Sequence, residues 1–341
     1  MDLVKLKREL YRLVHPVHWY RQLRYQGQRV QTGLFGAPVF EDYSAALPKV
    51  DRGDHLIGLV LYAPSGIRPD TLSVLSALAS IPTMKPFVMC NHTMTDQDKR
   101  QLKTLGVPYV QAHNRGWDFG TYRNFCLTAH HHLNPESLDH IRLTFMNDSF
   151  IFPLMGQGLD FLKRLQGPGF CGPIEQTSSQ IRSRHLCSFC ISFSGSKLRD
   201  SAFVSFWRGY RPLADRFYTI RSGEVGFSRA MLSAGHDLHP AFSKQDLLKA
   251  VTKADRADLL AALVPLVHLA LLSKEEAAKL AEGESHIVRE RIHQLIKGYQ
   301  NLRLLPLYTI FLDLPFAKVR DLKDYPRLND WYLKTYGLGL S

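Results

Sequence analysis

Between residues 55 and 146 the chain alternates short apolar runs with segments whose apolar positions recur at helical spacing. The runs of strand length cover residues 55–62, 86–90, 107–111 and 141–146. The segments with helical periodicity cover residues 69–80, 95–105 and 121–132. Strands that alternate with helices predict a mostly parallel sheet with helices on both faces. The pattern therefore indicates an α/β fold with a Rossmann-type sheet.

Beyond about residue 155 the pattern becomes mixed and then mainly helical. Two predicted strands, at 169–175 and 186–193, flank a loop rich in serine and arginine. Predicted helical regions follow at 250–283 and 285–298. Pro315 must break a helix, because proline lacks a backbone N–H. We predict three parts, namely a basic N-terminal helical segment at 1–50, an α/β domain at 51–243 and a helical C-terminal region at 244–341 that packs on it.

Residues 1–30 are basic and carry leucines at helical spacing. A basic amphipathic helix can lie on an anionic membrane surface, or it can pack on a domain with its basic face in water, and the sequence leaves both open. The segment lacks the continuous apolar core of a signal peptide, and no stretch reaches the roughly 20 apolar residues that cross a bilayer. We therefore expect a cytoplasmic protein that is peripheral on the inner face of the membrane.

Composition and charge narrow the class of protein. The chain is 45% hydrophobic and 22% charged, which is typical of a globular protein with a substantial core. The net charge of +12 suits phosphorylated substrates or anionic headgroups, although it also serves solubility. Lys and Arg are spread along the chain rather than clustered among aromatic residues, which disfavours nucleic acid as a partner. A single CxxC, Cys187 and Cys190, lacks a second pair and predicts buried, reduced thiols rather than a zinc site.

Ligands of such sheets bind beyond the carboxyl ends of the strands. The first predicted strand ends at Tyr62 and is followed by Ala63, the second is followed by Asn91, and the fourth by Asn147-Asp148-Ser149. A carboxylate such as Asp148 can hold Mg²⁺ or Mn²⁺ against a diphosphate, because both cations prefer oxygen ligands. The same three residues could instead form an Asx turn.

The loop after the third predicted strand is dense in polar and glycine residues, with the sequence His113-Asn114-Arg115-Gly116-Trp117-Asp118-Phe119-Gly120. A loop between a strand and a helix presents backbone N–H groups to anions, and Arg115 and Arg123 can pair with phosphate oxygens. The alternative is a sharp turn capped by Asp118. Further along, Glu224 near a predicted helix start is either a partner of the helix dipole or a general base.

The order of these motifs resembles that of GT-A fold glycosyltransferases, in which an Asn-x-Gly loop and an Arg-Asn helix precede a hydrophobic strand that ends in a DxD motif. The residues that carry the resemblance are Asn114-Arg115-Gly116, Tyr122-Arg123-Asn124, Asn147-Asp148-Ser149 and Glu224. Over about residues 55–240 the chain more closely resembles the rhamnan-synthesis F family of polysaccharide glycosyltransferases. That pattern comprises Arg115-Gly-x-Asp118-Phe-Gly120, Asn147-Asp148-Ser149 and Glu224-Val-Gly226, with a weaker echo at Pro315-Phe316-x-Lys318.

The resemblance implies an enzyme that transfers a sugar, with dTDP-L-rhamnose as the favoured donor, to a lipid-linked or polysaccharide acceptor in cell-surface glycan synthesis. It implies that residues 51–243 bind the nucleotide sugar and that Asp148 organises its diphosphate, with or without Mg or Mn. Glu224 would be the base of an inverting reaction, with Asp118 as second choice, and Trp117 would stack on a base or sugar. The implied donor-binding residues are Tyr62, Ala63, Asn91, Asn114, Arg115, Gly116, Trp117, Arg123, Asn147, Asp148 and Ser149.

The sequence departs from the broader GT-A pattern at two places. Asn147 and Ser149 stand where a strict DxD motif has carboxylates, and Val225 stands where an aspartate base is common. The alternative interpretation is therefore a non-catalytic member that binds a sugar nucleotide or a glycan within a biosynthetic complex.

Overall fold

The computed structural model describes residues 40–151, 157–178, 183–213, 215–337 and 339–340, together with isolated positions between residues 19 and 30. The helix that the sequence predicts at the N-terminus lies almost wholly outside these residues. The described strands are β1 (His55–Leu61), β2 (Met84–Cys90), β3 (Tyr109–Gln111), β4 (Arg142–Asn147), β5 (Phe150–Ile151), β6 (Phe170–Ser178), β7 (Ser183–Leu186), β8 (Cys190–Ser194), β9 (Leu238–Phe242) and β10 (Ala317–Lys318).

Helices connect the strands and make up most of the C-terminal third of the chain. The described helices are α1 (Pro69–Ala79), α2 (Asp96–Thr104), α3 (Trp117–His132), α4 (Gln157–Arg164), α5 (Ser201–Gly209), α6 (Arg216–Tyr218), α7 (Val225–Ser233), α8 (Lys244–Lys253), α9 (Arg256–His268), α10 (Lys274–Glu282), α11 (Ser285–Gly298), α12 (Leu305–Leu312), α13 (Val319–Asp324) and α14 (Pro326–Tyr336). A π-helical turn, Thr219–Glu224, joins α6 to α7.

One mixed sheet forms the centre of the fold, in the spatial order β3-β2-β1-β4-β8-β6-β7, with β9 paired to β6. Strands β3, β2, β1 and β4 are parallel, whereas β8 runs antiparallel to β4 and β6. Leu61 pairs with Cys90 and Val60 with Asn147, so three neighbouring strands end together at one edge. This arrangement confirms the predicted α/β fold with a Rossmann-type sheet, whose parallel half is extended by antiparallel strands.

Both faces of the sheet are covered, because β1 is buried along its whole length. Leu56 and Val60 pack with Phe125 of α3 in one apolar cluster. Ile57 and Leu59 point into a second cluster that also contains residues of α1 and of the C-terminal helices. A strand that is apolar at every position is typical of a parallel sheet buried on both faces.

The start of α3 and the segment 186–193 differ from the sequence prediction. Helix α3 begins at Trp117, four residues earlier than expected, because Gly116 adopts a left-handed conformation at its N-cap. The segment 186–193 is not one strand, since β7 ends at Leu186 and β8 begins at Cys190 after a turn. Cys187 and Cys190 are both buried, and burial raises the pKa of each thiol.

The predicted helical segment 250–283 is divided among α8, α9 and α10. The side chains of Asp255 and Ser273 accept hydrogen bonds from backbone N–H groups of the helices that follow them, and each therefore starts a new helix. Helix α12 ends at Leu312, before Pro315, as the proline predicts. None of the described helices combines the length and the apolar character that crossing a membrane requires.

The C-terminal segment returns to the end of β4. Strand β10 pairs antiparallel with β5, which places Lys318 opposite Phe150. The backbone N–H of Val319 donates to the carbonyl oxygen of Ser149 over 3.0 Å. Residues almost 170 positions apart in the chain thus meet directly behind the Asn147-Asp148-Ser149 motif.

Candidate active site

A cavity of about 830 Å³ opens where β1, β2 and β4 end. The predicted site residues that line it are Tyr62, Asn91, Asn114, Gly116, Trp117, Asp118, Asn147, Asp148, Ser149 and Glu224. The strand register explains this convergence, because parallel strands bring their carboxyl ends to one edge of a sheet. Phe189, Ile220 and Leu302 add apolar surface to the lining.

The loop before α3 is held in a strained shape that presents Trp117 to the cavity. Gly116 and Trp117 both have positive φ, at 78° and 57°. Gly120 passes so close to the loop that a Cβ there would lie 1.7 Å from the carbonyl oxygen of Arg115. The Asn91 side chain donates from Nδ2 to the Trp117 carbonyl oxygen over 3.3 Å. Non-glycine residues in the left-handed region cluster at functional sites, and the indole of Trp117 is 50% exposed beside the cavity.

Asp118 is a partly buried carboxyl in the first turn of α3. Its Oδ2 accepts a hydrogen bond of 2.6 Å from Nδ2 of Asn147, and its Oδ1 accepts from the backbone N–H of Phe119 over 3.0 Å. Burial and the negative charge of Glu224 raise the pKa of Asp118 from an ordinary 3.8 to about 6, despite these hydrogen bonds. Asp118 is therefore able to take up a proton near neutral pH.

Glu224 is the last residue of the π-helical turn and faces the same cavity. Its Oε2 accepts from the backbone N–H of Ser188 over 3.2 Å and from the Ser188 hydroxyl over 2.5 Å. Its Oε1 lies 3.3 Å from Nε2 of His185. Burial alone would raise the pKa of Glu224, but His185 and Ser188 stabilise the carboxylate and lower the pKa overall. Glu224 is thus held ionised beside Asp118.

Asp148 has one carboxylate oxygen already engaged. Its Oδ2 accepts from the backbone N–H of Tyr62 over 3.0 Å, and its carbonyl oxygen accepts from the Arg68 guanidinium over 2.9 Å. Burial raises the pKa of the Asp148 carboxyl, and the hydrogen bond from Tyr62 and the charge of Arg68 oppose that rise. The neighbouring Asn147 Oδ1 accepts from the backbone N–H and the hydroxyl of Ser149, which is the Asx turn that the sequence left open.

The site offers few ligands for a resident metal ion. In the part of the chain that the structure describes, no three His, Cys, Asp or Glu side chains are grouped so that they could hold a cation. The oxygens of Asn147 and Ser149 are used in their own turn. A Mg²⁺ or Mn²⁺ ion therefore fits at Asp148 only if a bound diphosphate supplies most of its ligands.

Three predicted site residues lie outside the cavity lining. Ala63 instead donates its backbone N–H to Nδ1 of His92 over 3.3 Å, and Arg115 is exposed but does not line the cavity. Arg123 is buried, and its guanidinium donates to the carbonyl oxygen of Trp207 over 3.1 Å. Arg123 is therefore a residue of the core rather than a phosphate ligand, because it lies on the inner face of α3.

The structure also adds residues to the site that the sequence prediction omitted. Ser188 lies in the turn inside the segment 186–193 that the sequence predicts as one strand, and His185 lies in β7 just before that segment. Cationic side chains of the lining come from segments far apart in the chain, namely Arg68, Arg216, Lys318, Arg320 and Lys323. The only sequence signal for this set was the Pro315-Phe316-x-Lys318 echo, because nothing in local periodicity reports which distant segments meet.

Comparison with known proteins gives a family match and several remote likenesses. The family described as rhamnan synthesis protein F matches residues 87–293, which is more than half of the 341-residue chain. The uncharacterized protein y4gN of Sinorhizobium fredii is 26% identical over 196 residues. That alignment covers 56% of this chain and 49% of y4gN, so the chain spans about half the length of this curated relative.

Solved structures with a similar chain trace include nucleotidyl- and glycosyltransferases. The 4-diphosphocytidyl-2C-methyl-D-erythritol synthase of Anaerococcus prevotii has a TM-score of 0.34 and 10% identity, covering 56% of this chain and 87% of its own. Mouse xyloside xylosyltransferase 1 has a TM-score of 0.29 and 10% identity, covering 55% and 84%. The mannosyltransferase Ktr4p of S. cerevisiae has a TM-score of 0.27 and 8% identity, covering 61% and 76%.

Proposed function

The chain belongs to the rhamnan synthesis protein F family, and from this premise we propose that it transfers a sugar from a nucleotide-diphosphate donor to a glycan acceptor. One observation carries the proposal: a single cavity combines half-exposed aromatic side chains, cations and two carboxylates with different proton affinities. Aromatic side chains can stack on a nucleobase, cations can bind a diphosphate, and a carboxylate can accept the proton of an acceptor hydroxyl.

We propose that Asp118, rather than Glu224, accepts the proton of the acceptor hydroxyl. A general base works best when its pKa lies near the working pH, and the pKa of Asp118 is about 6. Glu224 is a weaker base because Ser188 and His185 already stabilise its charge. The ionised Glu224 instead keeps the pKa of Asp118 raised, so the two carboxyl groups have different roles.

In this reaction the acceptor oxygen attacks the anomeric carbon of the donor sugar. The bond between that carbon and the diphosphate oxygen breaks, its electron pair leaves with the nucleoside diphosphate, and the hydroxyl proton passes to Asp118. A base and a leaving group on opposite faces of the sugar give inversion at the anomeric carbon. We therefore keep the inverting mechanism as part of the proposal, with L-rhamnose as the favoured sugar and dTDP as its carrier.

Trp117 is proposed to stack on the nucleobase or sugar, and its replacement separates this role from folding. Stacking of a base on an aromatic side chain contributes about 1–3 kcal/mol, which is roughly 5- to 150-fold in Kd. We expect Trp117→Ala to weaken nucleoside diphosphate binding by that factor without lowering the Tm, because the indole is half exposed. Trp117→Phe is the matched control and retains most of the affinity. Equal calorimetric Kd values for the three proteins would remove Trp117 from the donor site.

The acceptor is proposed to be a lipid-linked glycan, reached through association with an anionic membrane surface. The basic residues within positions 1–30 would supply the attraction, at about 1 kcal/mol for each Lys or Arg near the surface. We expect removal of residues 1–30 to abolish sedimentation with vesicles that contain anionic lipid, whereas neither protein sediments with zwitterionic vesicles. Sedimentation of the shortened protein at the full-length level would contradict the proposed docking segment.

A thermal-unfolding panel of nucleoside diphosphates and nucleotide sugars tests the donor class directly. A ligand that binds only the folded protein stabilises it by about 2.7 kcal/mol at a hundredfold excess over Kd. We expect the nucleotides of one base to raise the Tm selectively. Since dTDP-L-rhamnose is the favoured donor, that base is expected to be thymine. A protein that no nucleotide stabilises would instead fit the non-catalytic, glycan-binding alternative, which the missing carboxylates at Asn147 and Ser149 favour.

A further inference from the structure

The C-terminal segment 316–324 supplies one wall of the cavity. Lys318, Arg320 and Lys323 all line it, together with Val319 and Asp324. The segment is fixed in place by the β10–β5 pairing and by the hydrogen bond from Val319 to Ser149. Lys318 also lies with its ammonium 5.9 Å from the centre of the Phe150 ring. Backbone pairing therefore fixes the position of Lys318 at the cavity, and its side chain is held against Phe150.

Two of these cations have their charge available for a ligand. Arg320 pairs with Asp321 and Asp324 on its own helix, at 3.2 and 3.9 Å. Within the described ranges neither Lys318 nor Lys323 forms an ion pair, and the same holds for Arg216, which lines the cavity from α6. Lys318 is half-buried, and burial and the charge of Arg320 lower its pKa although Asp321 and Glu224 favour the charged form. A bound anion would stabilise that charge further.

The residues next to Asp148 leave little free positive charge for a leaving diphosphate. Arg68 pairs with Asp70 and donates to the Asp148 carbonyl oxygen, and the Asp148 Oδ2 already accepts from the Tyr62 N–H. Among the described residues no grouping of His, Cys, Asp and Glu side chains could hold a metal ion. A diphosphate that departs from a sugar gains negative charge, and cationic side chains can stabilise that charge as a metal ion does. Lysine acts in this role as a compact point charge.

From these contacts we infer that Lys318 and Lys323, with Arg216 as a further cation of the lining, form a diphosphate-binding subsite that neutralises the leaving group without a divalent cation. The inference rests on the proposed function, in that the diphosphate is that of the sugar donor. The C-terminal segment is then part of the catalytic centre rather than a separate appendage. Asp148 keeps a positioning role, through the Tyr62 N–H and the Arg68 guanidinium.

Inorganic pyrophosphate is the probe, because it has the diphosphate but neither nucleobase nor sugar. Its binding is measured by calorimetry on the full chain in excess EDTA. We expect wild type to bind pyrophosphate and the Lys318→Met, Lys323→Met double variant to bind it at least tenfold more weakly. The control removes two exposed lysines of α8 outside the cavity, Lys249→Met and Lys253→Met, and binds as wild type does.

Binding that appears only after Mg²⁺ or Mn²⁺ is added, or that the double variant retains, would overturn the subsite. If the double variant fails to fold, Lys323→Met alone replaces it, because Lys323 is exposed and its side chain is not part of the core. We expect this single variant to bind pyrophosphate more weakly than wild type. Displacement of pyrophosphate by a nucleoside diphosphate supports the donor assignment. If farnesyl diphosphate displaces pyrophosphate and nucleoside diphosphates do not, the donor assignment is wrong and the subsite binds the diphosphate of a lipid-linked acceptor.

The result is independent of catalysis. Lysine-dependent pyrophosphate binding in a protein that transfers no sugar would leave the subsite standing and remove the transferase. Sugar transfer by a protein whose pyrophosphate binding does not depend on Lys318 and Lys323 would support the transferase and remove the subsite.

Discussion

Replacement of Asp118 by asparagine is expected to lower kcat by about 10²–10⁴-fold, the usual contribution of a positioned general base. Asparagine keeps the size of the side chain, and its single amide oxygen can accept the hydrogen bond from Asn147, although the weaker one from the Phe119 N–H is then lost. The main loss is the ability to take a proton. Steady-state kinetics should therefore show a large fall in kcat with a donor Kd close to that of wild type.

Stability measurements separate this loss from unfolding. Folding raises the pKa of Asp118 from 3.8 to about 6, so the folded protein binds this proton more tightly than the unfolded chain does. Ionisation of Asp118 thus destabilises the fold progressively as the pH rises from about 4 to about 6. The asparagine variant escapes that destabilisation. We expect its Tm to equal or exceed that of wild type at pH 7.5, and any advantage to disappear below pH 4.

The matched variant is Glu224→Gln, and the pH profile of kcat/KM distinguishes the two carboxyl groups. Wild-type activity should rise through a pKa near 6 as Asp118 ionises. Removal of the Glu224 charge lowers the pKa of Asp118, so the rise should move to lower pH while the plateau changes little. If Glu224→Gln instead loses 10²-fold or more in kcat and Asp118→Asn does not, Glu224 is the base that the family resemblance implied.

Gly120→Ala is expected to destabilise the protein and to remove donor binding. The added Cβ would lie 1.7 Å from the carbonyl oxygen of Arg115, a backbone atom that no rotamer change can move. The loop must shift, and it carries both Trp117 and Asp118. Such overpacking costs about 1–3 kcal/mol, and more where the neighbour is backbone. Thermal unfolding and nucleoside diphosphate titration of the same preparation measure the two effects.

Gly298→Ala provides the matched control for that variant. Gly298 ends α11, and a Cβ there meets nothing within 4 Å. Alanine at such a helical position leaves stability unchanged or raises it by about 0.4–1 kcal/mol. A Gly120→Ala protein with the Tm and donor affinity of wild type would show that the loop is less constrained than its geometry indicates.

The sequence predicted the parallel half of the fold, and it predicted that most of the candidate site residues meet at one edge of the sheet, for one physical reason. Buried parallel strands are continuous apolar runs, and their carboxyl ends must meet at one edge. Knowing that Leu61, Cys90 and Met146 end or nearly end such runs was therefore enough to place Asn91 and Asp148 in one crevice. The Gly116 and Gly120 loop was also visible in the sequence, because two glycines flanked an acid just after a strand.

The other half of the site depends on contacts that local patterns do not report. Ser188 reaches Glu224 through a turn inside a segment that reads as one apolar strand. Lys318 reaches the cavity only because a two-residue strand pairs with β5, which follows β4 by a few residues. Arg123 was misplaced for the opposite reason, since its neighbours in sequence are polar while its own helix face is buried. Contacts of this kind are set by tertiary packing between segments that are far apart in the sequence.

Release of nucleoside diphosphate from a panel of nucleotide sugars, with dTDP-rhamnose among them, in the presence of a lipid-linked or short glycan acceptor measures the proposed transfer itself. We expect acceptor-dependent release from one donor, without a requirement for added Mg²⁺ or Mn²⁺, and its loss in the Asp118→Asn protein. A protein that binds nucleotide sugars but releases nucleoside diphosphate from none of them is a binding protein and not a transferase.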